Sequence, residues 1–391
     1  MTTNSSSSTP RVNISTAQAE YYRRPADERF ETLDALIANA RHDKEHSAER
    51  TYNLKDLRAV ATVREGHTAP TGEVPRVVLE SPRGQADFTH YSFGQLARTI
   101  GAPASYLREL PPSIAADCIN HGLRDAEPGT AANLLIRANG GTPVVRAATS
   151  DTYGRVWDAD LYGTAARYFG DGATSAGGAW QTPPAWPGSL PSGQYRGDRD
   201  SFVIRVDGGS IVNDPRARQG KPGGGLYRGI MVRNSEVGAA RVTIECVLFD
   251  YICGNHMLWG AVIDRRFRRR HVGTRITRDT IQELLTIARA FNTRSASQDA
   301  AIIQDLVTHE LAHTREAVID ELRKVGYSKQ QADTAYDTCE QREPFSPRSY
   351  WGLAAGTTRA SQESGYQDDR LIMDQLAAAL LARGAKQYAT A

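Results

Sequence analysis

The sequence predicts an α+β protein: a mostly antiparallel sheet core with interspersed helices, followed by a helical C-terminal region. Three observations carry this. Arg241–Phe249 alternates, with Val242, Ile244, Cys246 and Leu248 on one face and Thr243, Glu245, Val247 and Phe249 on the other, which is the period of a strand. A second apolar run, Gly229–Val232, precedes it across a polar turn holding Asn234, Ser235 and Gly238, so the two runs form a hairpin. From Thr277 onward the period becomes helical.

Taken in order, the chain divides into four regions: 1–50, 51–130, 131–291 and 292–391. Residues 1–16 are a Ser/Thr-rich tail, expected to be flexible. Phe30, Leu33, Leu36 and Ile37 place a helix over Ala26–Ala40, and the charged stretch 41–50 reads as a connector. In the small second region, Leu57–Val63 and Val74–Leu79 read as strands. A helix capped by Ser92 carries Phe93, Leu96, Ala97 and Ile100; Gly101 ends it and Pro103 opens the next. This pair has the layout of a helix-turn-helix, but Ser105 and Arg108 are too few to read bases, so a helical hairpin packed on the strands is expected. In the third region, Leu134–Ala138 and Val144–Ala148 flank an Asn-Gly-Gly turn, Asp158–Phe169 is helical, and Ser201–Val206 is a strand. Residues 170–200 form a long Gly/Pro/Trp-containing loop, and Asn213–Tyr227 a basic glycine-rich one. Helices then follow through Ile281–Phe291, Ser297–Val325, Ser328–Cys339, Tyr350–Gly356 and Asp369–Ala382.

With 391 residues, 40% hydrophobic and 24% charged, the chain has the composition of a globular protein with a sizeable core. A net charge of +2 creates no global field, so attraction to a polyanion must come from local clustering. Cys118, Cys246, Cys253 and Cys339 lack metal-site or disulfide-framework spacing. The polar opening residues and the lack of a long apolar run lead us to expect a cytoplasmic protein with no membrane partner.

Two motifs carry candidate chemistry. The first is an arginine run: Arg265, Arg266, Arg268, Arg269, Arg270, Arg275 and Arg278, with Phe267 interleaved. If the run is extended, Arg266, Arg268 and Arg270 share one face, spaced to meet phosphates, and Phe267 is a candidate for stacking on a base. Such a run also serves as a charged sheet edge that blocks aggregation. The second is His309-Glu310-Leu311-Ala312-His313, the H-E-x-x-H of zinc hydrolases, in which two histidines one helical turn apart bind the metal and the glutamate activates water. On a helical wheel the two histidines fall opposite the stripe of Ile303, Val307, Leu311, Val318, Leu322 and Val325, toward solvent. We therefore expect no metal there and no cofactor elsewhere. P-loop and nucleophile-elbow patterns are absent from the sequence.

The segments NSEVG, YICGNHM and RRRHVG together resemble the phage/plasmid-like proteins of unknown function carried on bacterial mobile elements. The resemblance falls on Asn234, Ser235, Gly238, Cys253, Asn255 and His271. SDTYGRVWDADLY resembles the family's Ser-x-x-Tyr core entry, and Ser349–Ser364 its C-terminal Trp-Gly helix, so the likeness spans about 130–385. It implies a cytosolic mobile-element protein and supplies no established activity. The expectation is a non-enzymatic accessory protein that binds nucleic acid, with single-stranded DNA the favoured form; self-association is left open. The alternatives are a zinc-dependent hydrolase using His309, Glu310 and His313, and a protein-interaction or anti-host protein.

Overall fold

The computed structural model describes residues 24–65, 73–138, 140–170, 180–182, 194–213, 225–250, 255–258, 267–273, 275–293, 296–361 and 367–388. The expected tail at 1–16, most of the basic loop 213–227 and much of the loop 170–200 lie outside these residues. The described chain is α+β, with two largely antiparallel sheets and a C-terminal set of helices.

The first sheet has six strands: β1 (Ser47–Asn53), β2 (Arg58–Glu65), β3 (Glu73–Ser81), β4 (Gly84–Phe88), β5 (Ala131–Arg137) and β6 (Val144–Ser150), ordered β1-β5-β6-β4-β3-β2. Only the β4–β6 pair is parallel. The sheet therefore takes in β5 and β6, and the chain leaves it after Ser150 rather than at residue 131. Strand β1 occupies what reads as a charged connector. It is an edge strand whose side chains are mostly exposed, so no apolar alternation marks it. At the opposite edge, Asn120 closes β2: its Oδ1 accepts from the Ala59 amide (2.7 Å) and its Nδ2 donates to the Ala59 carbonyl (2.8 Å).

Helix α1 (Leu33–Glu45) leads into β1, and helices α2 (His90–Thr99), α3 (Ala104–Glu109) and α4 (Pro112–Asp125) pack on this sheet. Helix α1 starts later and ends later than the expected Ala26–Ala40, because Thr32 caps it by accepting from the Ala35 amide (3.2 Å). Helix α2 starts at His90. Thr89 is its N-cap, and Ser92, expected in that role, closes the capping box from the third position. The second helix opened by Pro103 is α3; Leu110 and Pro111 are extended and end it, and α4 is a further helix not among the expected elements. Leu79, Leu96, Ile119, Leu123, Leu134 and Val145 form the core beneath α2, α3 and α4.

The second sheet contains β7 (Trp180–Gln181), β8 (Gln194–Arg196), β9 (Ser201–Asn213), β10 (Gly225–Asn234), β11 (Val242–Asp250), β12 (Asn255–Leu258) and β13 (Phe267–Arg269). Its main path is β12-β11-β10-β9-β7, with β13 also on β11 and β8 also on β9. The β10–β11 pair is the hairpin legible in the sequence. Both faces are covered. Val203, Ile230, Val232, Val242 and Ile244 pack with α1, α5 (Asp158–Phe169) and α6 (Ile276–Thr293). On the other face, Ile204 and Val206 meet Ala378 of α11 (Gln367–Tyr388).

Helices α7 (Ala296–Thr308), α8 (Arg315–Val325), α9 (Lys329–Arg342), α10 (Tyr350–Ser361) and α11 build a separate core around Leu306, Leu322, Trp351, Leu353 and Leu380. The expected single helix Ser297–Val325 is two helices, α7 and α8. At Gly356 the backbone of α10 meets α9 so closely that a Cβ would strike the Ala335 carbonyl and the Cys339 side chain. No helix among the described residues is long and apolar enough to cross a membrane.

Candidate functional site

The turn between β10 and β11 is not a solvent loop. Asn234, Ser235, Glu236 and Val237 are all buried, and Gly238 adopts φ +83°, the left-handed conformation that favours glycine. Val237 packs against Leu135 and Ala147 of the first sheet. Gln95 of α2 ties the turn down: its Nε2 donates to the Val237 carbonyl (2.8 Å), while its Oε1 accepts from the Ala148 amide (3.0 Å). Ser235 Oγ donates to the Arg199 carbonyl (2.6 Å) and accepts from the Ala239 amide (2.8 Å). The turn thus forms the seam between the two sheets.

Buried charge lies directly behind the seam. Arg196 donates through Nε to Asp158 Oδ2 (3.0 Å), through Nη1 to Asp43 Oδ2 (2.7 Å) and Asn39 Oδ1 (2.8 Å), and through Nη2 to Glu236 Oε2 (2.9 Å). Arg146 Nη1 donates to the same Glu236 oxygen (2.9 Å). Arg155 donates to the Glu236 carbonyl and pairs with Glu49. The other Glu236 oxygen accepts from the Asp158 amide (3.0 Å), the first residue of α5, so a side chain from a distant turn caps this helix. Asp158 Oδ1 accepts from Asn234 Nδ2 (2.7 Å) and from Ser201 Oγ (2.7 Å), which itself contacts the Tyr162 hydroxyl (2.8 Å).

The two acids at the centre titrate differently. Burial, reinforced by the Glu236 charge, pushes Asp158 up to about 6 against the pull of Arg196. For Glu236, burial is outweighed by Arg196 and Arg146, which hold its carboxyl below the usual range. Burial likewise opposes ionisation of Asp43, and Arg196 with its neighbours again prevails. Two buried arginines, Arg146 and Arg196, meet three buried carboxylates, Asp43, Asp158 and Glu236, and the buried Arg155 bonds the Glu236 carbonyl and pairs with Glu49 at the rim. Chemically this is a clasp. Its charges compensate one another, and apolar replacements of such clusters are often no less stable, so what it supplies is a unique geometry for the seam.

A second corner lies beside the seam. The His271 ring stacks on Tyr153 at 5.2 Å, with an interplanar angle of 16°. His271 Nδ1 donates to the Gly154 carbonyl (3.2 Å), and the Tyr153 hydroxyl donates to the Ser235 carbonyl (2.9 Å). Burial pushes the imidazole down to about 4. A Cβ on Gly154 would strike the Gly273 carbonyl and Ile276, so the loop before α6 is seated against bare backbone. Of the resemblance positions, Ser235, Gly238 and His271 therefore gather around Tyr153, while Asn234 points into the clasp. Asn255 lies in β12, and Cys253 falls outside the described residues.

The arginine run is only partly extended. Strand β13 aligns Phe267 with Ile244, Arg268 with Thr243 and Arg269 with Val242. Phe267 is buried in the core with Val242 and Ile244. This corrects the expectation that it stacks on a base: pairing with β11 turns the ring inward. Arg270, Arg275 and Arg278 are exposed, and none forms an ion pair with another described residue. Arg268 and Arg269 belong to β13, and Arg265 and Arg266 lie outside the described residues.

The H-E-x-x-H does not form a zinc-protease helix. Helix α7 ends at Thr308, and both histidines occupy the connection to α8. The Leu311 amide donates to the Arg348 carbonyl (2.7 Å), and Arg348 Nη2 pairs with Glu310 Oε1 at 2.9 Å, so residues beside α10 draw this segment away from helix. His309 Nδ1 donates to the Asp305 carbonyl (2.8 Å). His313 has a 93% exposed side chain and contacts Glu310 at 3.2 Å. Among the described residues, no group of three or more His, Cys, Asp or Glu side chains is placed to hold a metal ion.

Sequence reasoning did not find the clasp. Its residues stand between positions 43 and 236 with no local spacing; Glu236 lies in the variable part of Asn-Ser-x-x-Gly, and Arg155 and Asp158 lie in SDTYGRVWDADLY, but neither segment marks them as partners. Comparison with protein-family models, curated proteins and solved structures finds no match to this chain.

Proposed function

We propose that the protein is a non-enzymatic nucleic-acid-binding accessory protein of a phage, plasmid or integrated element, holding single-stranded DNA by its phosphates. The observation that carries this reading is a contrast between arginines. Arg146, Arg155 and Arg196 are buried and committed to acids, whereas Arg270, Arg275 and Arg278 are exposed and form no ion pair with a described residue. Those three occupy a corner held firmly by His271, Tyr153 and Gly154, which suits a fixed cationic surface for a polyanion. With Phe267 in the core, base stacking by this residue drops out, and contacts to phosphate favour affinity without sequence preference. The mobile-element setting rests on the family resemblance over about 130–385.

The test is a titration of a labelled single-stranded oligonucleotide at several salt concentrations. The wild type should bind at low salt and weaken as salt rises, because each phosphate contact releases counterions. Arg270→Ala/Arg275→Ala/Arg278→Ala should reduce the slope of log affinity against log salt by about 2, at about 0.7 per lost contact. These exposed changes should alter stability by no more than about 0.5 kcal/mol each. A folded wild type that fails to bind at low salt ends the proposal.

A further inference from the structure

Helices α1 and α5 face each other across a groove of about 750 Å³. Lys44 of α1 bonds both oxygens of Asp160 of α5, at 2.7 and 2.8 Å. One turn earlier on α1 stands Arg41, and one turn later on α5 stands Gly163. A Cβ at Gly163 would sit 3.7 Å from Arg41 Nη2. The helices therefore run antiparallel here, and the guanidinium lies over a position with no side chain. Arg167 follows Gly163 by four residues, which places it on the same side of α5. Arg41 and Arg167 are exposed, line the groove and form no ion pair with a described residue. Lys44 and Asp160 compensate each other, and Glu45 offsets only one of the two arginines, so the groove keeps a positive surplus.

The groove is also adjacent to the arginine corner. Its remaining wall includes Ile281 of α6. Arg278 precedes Ile281 by three residues, so the two are neighbours on one side of that helix, about 4.5 Å apart along its axis. An exposed cation of the corner thus stands beside the groove.

We infer that the α1–α5 groove is a phosphate-binding channel that continues the Arg270–Arg278 corner, so that a nucleic-acid strand held at the corner runs on with its phosphates between Arg41 and Arg167. The inference rests on the nucleic-acid reading above. Among the described residues that line the groove none is aromatic, and Thr164 adds a neutral hydroxyl to the arginine donors, so the channel grips the backbone and leaves bases unread.

The experiment uses the full chain and labelled oligothymidylate in two lengths, one spanning only the corner and one long enough to enter the groove. Arg41→Ala/Arg167→Ala should weaken binding of the long oligonucleotide, lower its salt slope by about 1.4, and leave the short one unchanged. Gly163→Leu fills the groove without altering charge and should also weaken only the long form. Leucine favours helix over glycine, and a Cβ at Gly163 meets only the end of the Arg41 side chain, at 3.7 Å; circular dichroism and the melting temperature, expected to match the wild type, check that the variant folds. If both groove variants bind the long form like the wild type while the corner triple variant loses it, the channel is refuted and the nucleic-acid reading stands. If the wild type binds neither length, that reading fails and the channel fails with it. Binding of pyrophosphate that depends on Arg41, without any effect of the groove variants on oligonucleotide, would reassign the groove to small anions and overturn the inference.

Discussion

Arg196 and Glu236 meet at 2.9 Å inside the protein, and both side chains are buried where the β10–β11 turn enters the first sheet. Glu236 also receives Arg146 through the same oxygen and caps α5 through the other. Removing it leaves two buried guanidinium groups without this partner. Glu236→Ala should therefore destabilise by about 3–5 kcal/mol, read as a fall in the urea midpoint. An unchanged midpoint would show that the clasp is not what holds the seam.

His271 makes stability pH-dependent. Its folded-state value of about 4 lies below the ordinary 6.5, chiefly because burial disfavours the imidazolium. The unfolded chain then binds the proton more readily. Stability from this residue is complete above about 6.5, declines as pH falls toward 4, and changes no further below that, a total of about 3 kcal/mol. His271→Phe, which keeps a ring against Tyr153, should flatten this part of the stability–pH profile. A variant with the same acid sensitivity as the wild type would place the titration elsewhere.

Gly154→Ala tests how the arginine corner is seated. The added Cβ would meet the Gly273 carbonyl and Ile276, so the loop or α6 must shift. We expect a loss of about 1–3 kcal/mol in stability. The amide of Gly273, which donates to the Thr152 carbonyl at 3.0 Å, should exchange hydrogen faster. Unchanged melting and exchange would mean that the loop accommodates a methyl group freely.

For the H-E-x-x-H, elemental analysis should find no zinc that depends on His309 and His313. The His309→Ala/His313→Ala variant should match the wild type in metal content. One zinc per chain that disappears in the double variant would restore the hydrolase alternative.

What the sequence determined by itself was local. The alternation of Arg241–Phe249 predicts the β10–β11 hairpin, and helical periodicity places α5 at Asp158–Phe169, the span it has in the structure. Both signals come from side chains two to four positions apart, which a single strand or helix turn brings onto one face. Other features needed partners distant in sequence. A helical pattern crosses His309–His313, but the backbone there bonds to Arg348 instead of continuing α7. Phe267 sits among arginines, yet pairing with β11 decides that it turns inward. Strand β1 carries no apolar pattern because its partner is β5, at Ala131–Arg137, and its side chains stay mostly outside the core. The clasp depends most on tertiary structure. Asp43, Arg146, Asp158, Arg196 and Glu236 are each unremarkable in their local segments, and only the docking of the turn onto the first sheet removes them from water together. Burial makes their charges costly, and only mutual pairing within the assembled seam offsets that cost.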